Sequence, residues 1–106
     1  MQKRKFEIKP SFIDSFKQAY DWYLDNYGET YAKKFTDGID AAFESIQANP
    51  LIFSECQEIS TNQKFYRYLI YLRNHKIIFK VTSENISILI IFHCKRNPVL
   101  IKKMIK

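Results

Sequence analysis

The residues of this chain best suited to chemistry are cations and an imidazole in its C-terminal half. Arg67, Arg73, Lys76, Lys80, Lys95 and Arg96 gather there, with His93 among the last of them. Metal-free cleavage of RNA needs such a set: a base for the 2′-hydroxyl, a cation for the charged phosphorane, and an acid for the leaving oxygen. An imidazole suits either proton-transfer role, so His93 is the candidate acid or base. Arg67 and Arg96 are the candidate phosphate clamps, because a guanidinium grips phosphate through two parallel hydrogen bonds. Lys76 completes the candidate catalytic set. Each has a plainer reading beside it. A histidine ending a buried strand commonly holds a structural hydrogen bond, an arginine in an apolar strand commonly pairs with an acidic group, and Lys95 and Arg96 suit an ordinary solvated surface.

The spacings of metal centres, phosphate loops, dinucleotide folds and nucleophile elbows are absent. Cys56 and Cys94 lie far apart with no C-x-x-C spacing, so neither a metal nor a disulfide is expected. No cofactor is expected either.

These residues need a sheet to position them, and the stretch from Lys64 to Pro98 supplies one. Phe65 to Leu72 is apolar and aromatic apart from Arg67, and Arg73-Asn74-His75 reads as a turn with Asn74 in the left-handed conformation. Lys76 to Val81 alternates, with Ile77, Phe79 and Val81 on one face and Lys76, Ile78 and Lys80 on the other. Ser83-Glu84-Asn85 is the next turn. Ile86 to Phe92 is apolar at both parities, as in a strand inside a sheet.

Upstream, residues 3–9 alternate as a short strand, and Ser11 with Asp14 resembles a capping box opening a helix. Phe12, Phe16, Ala19/Tyr20, Tyr23 and Tyr27 form an apolar stripe at helical spacing, read as core. Gly28 stands where a helix end favours positive φ. A second helix runs from near Thr30, with Phe35, Ile39 and Ile46 on its inner side, and ends at Asn49-Pro50. A three-residue joint makes the two an antiparallel hairpin. Residues 51–63 read as a loop.

The order is β-α-α-β-β-β, an α+β class in which a helical hairpin packs on one face of a four-stranded, largely antiparallel sheet. The other face is expected to be open and concave, a natural binding surface. Residues 1–106 are long enough for one domain and one core. With 46% hydrophobic and 16% aromatic residues the chain should fold rather than stay disordered. A formal charge of +6 suits acidic or phosphate-rich partners and equally suits a solubilising surface. No leader or membrane-spanning run is visible, so a cytoplasmic location without membrane contact is expected. After Pro98 the tail is half apolar and half lysine; it must fold back on the core or be covered by a partner.

The arrangement Tyr66-Arg67-x-Leu69, Lys76-Ile77-Ile78-Phe79-Lys80-Val81 and Ile88-x-Ile90-x-x-His93-x-x-Arg96-Asn97-Pro98 resembles the RelE/ParE superfamily of bacterial type II toxins. The likeness extends to Ala32-x-x-Phe35 and Asn49-Pro50, and so over nearly the whole chain. It implies the β-α-α-β-β-β fold, growth inhibition or plasmid stabilisation as the role, and a cognate antitoxin as partner. Operator DNA would be bound only through that antitoxin. RelE-like members cleave mRNA on the ribosome; ParE-like members poison DNA gyrase. Against the RelE pattern Arg67 stands for a lysine, Leu69 for a second lysine and Lys76 for an arginine. Arg96 matches, and a tail tyrosine is missing. His93-x-x-Arg96 and Tyr66-Arg67 look closer to the ParE-like branch. The resemblance therefore implies gyrase as target, with the ribonuclease and a non-toxic, operon-regulating member as alternatives. Leu100, Ile101, Met104 and Ile105 are the expected apolar anchors for antitoxin.

Overall fold

Strand β4 (His75–Val81) is the middle of the sheet, and its alternation divides the protein into two packed faces. The computed structural model describes residues 4–59 and 65–105. The expected strand β1 (Lys5–Ile8) leads into α1 (Pro10–Tyr27), α2 (Glu29–Asp37) and α3 (Ile39–Ala48). Then come β2 (Ser54–Glu55), β3 (Tyr66–Tyr71), β4, β5 (Asn85–His93) and α4 (Leu100–Ile105). The sheet order is β1-β5-β4-β3-β2. β1 pairs parallel with β5 and the remaining pairs are antiparallel. The α+β class and element order are those read from the sequence.

Ile77, Phe79 and Val81 of β4 face the helices, where they pack with Phe12, Phe35 and Ile46. Phe35, Phe79 and Ile46 are almost fully buried, and each such side chain contributes about 1.5–3 kcal/mol of burial. Ile78 faces the other way and packs with Ile90, Phe92, Cys56 and Ile101.

Several expectations are corrected. The sheet has five strands rather than four, because Ser54–Glu55, inside the expected loop, pairs with Tyr68 and Arg67. Residues 60–63 of that loop lie outside the described residues. The second helix is two, broken at Gly38, where a Cβ would come within 3.2 Å of the Tyr71 hydroxyl. That hydroxyl donates to the Phe35 carbonyl, tying the break to β3. The joint between α1 and α2 shrinks to Gly28 alone, at φ 90° as its place at a helix end requires. In the β3–β4 turn the left-handed residues are Leu72 and Arg73, not Asn74. His75 consequently belongs to β4 rather than to the turn. The second face is not open: α4 folds back onto it, and Ile101 is only 1% exposed there.

The expected capping box is also replaced. Lys9 is the N-cap of α1 and makes no side-chain cap bond. Ser11 serves another purpose, set by an irregularity in β5. Ile78 pairs with Ile90 but Phe79 pairs with Ile88, so Leu89 bulges out of the ladder. β1 accompanies β5 only as far as Ile88, where the Lys9 N–H donates to the Ile88 carbonyl at 3.0 Å. Beyond that point α1 takes over. The Ser11 hydroxyl donates to the Leu89 carbonyl at 2.6 Å, and Ser15 Oγ accepts the Ile91 N–H at 3.0 Å. Ser15 also donates to the Phe12 carbonyl. Two hydroxyls one helical turn apart thus stand in for a missing strand, as buried backbone groups demand.

Ser15→Ala strands the buried Ile91 N–H, and we expect it to lower unfolding free energy by about 1–3 kcal/mol. Urea denaturation would measure the loss, and faster amide exchange at Ile91 would locate it. A stability equal to wild type would show that the bulge finds another partner.

Candidate functional site

Where α1 leaves the ends of β4 and β5 there is a cleft of about 630 Å³. Its floor is a pair of imidazoles. His75 and His93 are register partners across β4 and β5, with ring centroids 4.8 Å apart and planes 78° apart. His75 is 3% exposed, and its Nε2 lies 3.3 Å from the Tyr23 hydroxyl. Burial, reinforced by His93, pushes the His75 pKa down to about 4. Burial likewise raises that of Tyr23, with smaller contributions from Tyr31 and Tyr27. Both groups are therefore neutral near pH 7. His75 Nδ1 is buried without a partner among the described residues.

His93 is half-buried and oriented by its own turn: its Nδ1 accepts the Lys95 N–H at 3.1 Å. The neutral ring consequently carries its proton on Nε2 and presents a donor. Lys95 and Arg96 are exposed and line the cleft beside it. Arg96 also lies over the Phe92 ring, 5.5 Å from its centroid.

The opposite wall is aromatic. Trp22, Tyr27 and Tyr31 are 51%, 60% and 48% exposed, although Tyr27 was read from the sequence as core. Tyr27 lies 5.0 Å from Tyr31 and 5.6 Å from Trp22 between ring centroids, and Tyr23 stacks on Tyr31 at 5.2 Å. The helical period correctly put Tyr23 and Tyr27 on one side of α1; Trp22 was not part of that stripe, and Tyr31 belongs to α2. The period gave no sign that Trp22, Tyr27 and Tyr31 stay about half exposed.

Of the candidate catalytic residues, His93 and Arg96 share the cleft; Arg67 and Lys76 do not join them. Arg67 sits beside the short edge strand β2, where its Nη1 donates to the Phe53 carbonyl at 2.6 Å and to that of Leu51 at 3.4 Å. Its cross-strand partner is Phe79, on the helix-covered face. Lys76 is on the opposite face, 3.7 Å from Glu58 and 4.6 Å from the Tyr68 ring centre. Leu100, Met104 and Ile105 are half-buried, packed with Ile101 against the second face. His75 and Tyr23 are the members that sequence reasoning missed. Their signal was the register: once His75 opens β4, pairing sets it opposite His93.

The arrangement can bind an anion through exposed cations, offer one hydrogen-bond donor from His93 Nε2, and hold a flat group against rings. Among the described residues no cluster of His, Cys, Asp or Glu could hold a metal ion, and no helix is long and apolar enough to cross a membrane.

Because His75 resists protonation in the folded state, the unfolded chain binds more protons between pH 6.5 and about 4. Its contribution to stability is complete above that window and is lost as pH falls through it. Urea midpoints should decline with falling pH less steeply in His75→Asn than in wild type. Parallel profiles would show that His75 protonates freely.

The chain is similar to a known family in sequence and to solved structures in fold. A family model described as ParE toxin of type II toxin-antitoxin system, parDE, matches residues 6–98. No curated protein matches the sequence. Among solved structures, the chromosomal ParDE toxin–antitoxin system from P. aeruginosa superposes with a TM-score of 0.71. It is 18% identical, over 88% of this chain and 98% of that one. The YoeB–YefM complex from Staphylococcus aureus gives a TM-score of 0.50 at 17% identity, over 87% of this chain and 98% of that one. The YoeB dimer from the same organism gives 0.50 at 17%, over 91% and 99%. At these identities the structural likeness is one of fold. The family match, which spans nearly the whole chain, goes further: this protein belongs to the ParE toxin family of type II toxin–antitoxin systems.

Proposed function

We propose that this chain is the toxin of an operon pair, neutralised by a cognate antitoxin, and that it acts by occupying a surface of DNA gyrase without breaking a bond. One observation carries the choice between mechanisms: the candidate catalytic groups are divided between separate places. Phosphorane stabilisation demands cations preorganised around one reacting phosphate. Arg67 is held by backbone carbonyls at the β2 edge and Lys76 by Glu58 on the far face. Only His93 and Arg96 remain together. Their shared cleft is the specific observation favouring the RelE-like ribonuclease as the second reading, with His93 as acid and Arg96 as phosphate ligand.

For the antitoxin we propose the face bearing α4. Leu100, Met104 and Ile105 are half-buried there, Ile101 fixes the helix to the sheet, and Lys102 and Lys103 are exposed. An acidic, partly disordered antitoxin would find apolar anchors and positive charge side by side. Operator DNA would be reached through that antitoxin.

Controlled expression in a bacterial host, followed by mapping of transcript 5′ ends, tests the mechanism. We expect growth arrest and a DNA-damage response with no new ends. New ends that vanish in His93→Ala and Arg96→Ala would establish the ribonuclease instead. Growth without arrest would leave the antitoxin-binding, operon-regulating role. For the tail, a chain ending at Pro98 should bind antitoxin about tenfold or more weakly while circular dichroism reports a retained fold. Unchanged affinity would exclude the tail as an anchor.

A further inference from the structure

The aromatic wall and the exposed cations of the cleft have no part in the gyrase mechanism proposed above, and neither is needed for the core. We infer that the cleft binds a nucleoside phosphate, with the base against Trp22, Tyr27 and Tyr31 and the phosphate on Lys95 and Arg96. The inference does not rest on the gyrase reading; it shares His93 and Arg96 with the ribonuclease reading.

Three observations meet here. The first is charge. The charged residues lining the cleft are Lys95 and Arg96, with no aspartate or glutamate. Among the described residues neither Lys95 nor Arg96 pairs with a carboxylate, so both are available to an anion. A concave site lined by one sign of charge concentrates ligands of the other.

The second is exposure of large rings. Trp22, Tyr27 and Tyr31 form a contiguous group, with neighbouring centroids 5.0 and 5.6 Å apart, yet about half of each residue's surface meets solvent. Leaving such area wet is unfavourable for the isolated fold, and it suits a flat π-system that can stack on it. The third is size. At about 630 Å³ the cleft lies within the roughly 300–1,000 Å³ of small-molecule sites. Aromatic rings and cations lining one cleft match the two chemistries of a nucleotide. His93 Nε2–H adds a donor to the lining, since its Nδ1 is occupied by the Lys95 N–H.

Such a nucleotide has two sources: a free mononucleotide, or one residue of a single strand. Trp22 is the only tryptophan of the chain, which makes its fluorescence a direct reporter. Titrating the full chain with adenosine 5′-monophosphate should quench it saturably, and more tightly than adenosine or inorganic phosphate alone. By calorimetry, Trp22→Leu and the double variant Lys95→Ala/Arg96→Ala should each weaken binding about tenfold or more. Lys5→Ala, on β1, should leave it unchanged. These substitutions fall on exposed residues, and circular dichroism checks that each variant is folded. A single-stranded tetranucleotide that binds more tightly than the mononucleotide would assign the ligand to a strand; equal or weaker binding would assign it to the free pool. No saturable quenching would overturn the inference. So would inorganic phosphate or an acidic peptide binding as tightly as the nucleotide, or an affinity indifferent to Trp22.

Discussion

The fold depends on how the free edge of β5 is completed. β1 is short and stops at Ile88, while β5 continues to His93 through a bulge at Leu89. Buried backbone groups past that point need partners, and no strand is there to supply them. Ser11 and Ser15 do so from α1, through the Leu89 carbonyl and the Ile91 N–H. The helix is thereby fixed in angle and height against the sheet, more narrowly than apolar packing alone would fix it. The bulge has a second effect. It shifts the parity of β5, so that Ile86, Ile88 and Ile91 all join the helix-covered core.

The site inherits its shape from that constraint. With α1 anchored at Ser11 and Ser15, its later turns set Tyr23 against His75 and bring Trp22 and Tyr27 into the cleft that His75 and His93 also line. Tyr31 follows across the Gly28 joint. The polar floor and aromatic wall are therefore consequences of one docking geometry. The same geometry separates Arg67 from the cleft, because β3 and the edge strand β2 lie at the far side of the sheet. There the arginine satisfies carbonyls of the segment entering β2, a structural use that also accounts for a cation inside an otherwise apolar strand.

Much of the fold was legible because its strands and helices have strong periods. The alternation of Ile77, Phe79 and Val81 and the stripe from Phe12 to Tyr27 each specify a face, and the faces specify the layers. What was not legible depended on tertiary partners. Ser11 reads as a cap until the bulge at Leu89 is seen. Residues Ser54–Glu55 have no strand signal of their own and become β2 only by pairing with β3. The break at Gly38 reflects the close approach of Tyr71, a contact between segments far apart in the chain. The candidate site was half legible. His93 and Arg96, three residues apart at one strand end, were bound to be neighbours; Arg67 and Lys76 were grouped with them by charge, and register sent them elsewhere. His75 was hidden because the left-handed residues of its turn, Leu72 and Arg73, are not types that announce such a conformation.

These separations underlie the functional proposal: a member of the ParE toxin family, with an imidazole cleft but with its candidate phosphate-cleaving residues apart, is proposed to work by surface occupation. Its most direct test is a reconstituted one, with purified DNA gyrase supercoiling relaxed plasmid in the presence of the purified toxin. The account predicts dose-dependent loss of supercoiling, retained by His93→Ala, with added RNA left intact in the same tube. Full supercoiling activity at saturating toxin, with that RNA cut by wild type and spared by His93→Ala, would contradict it.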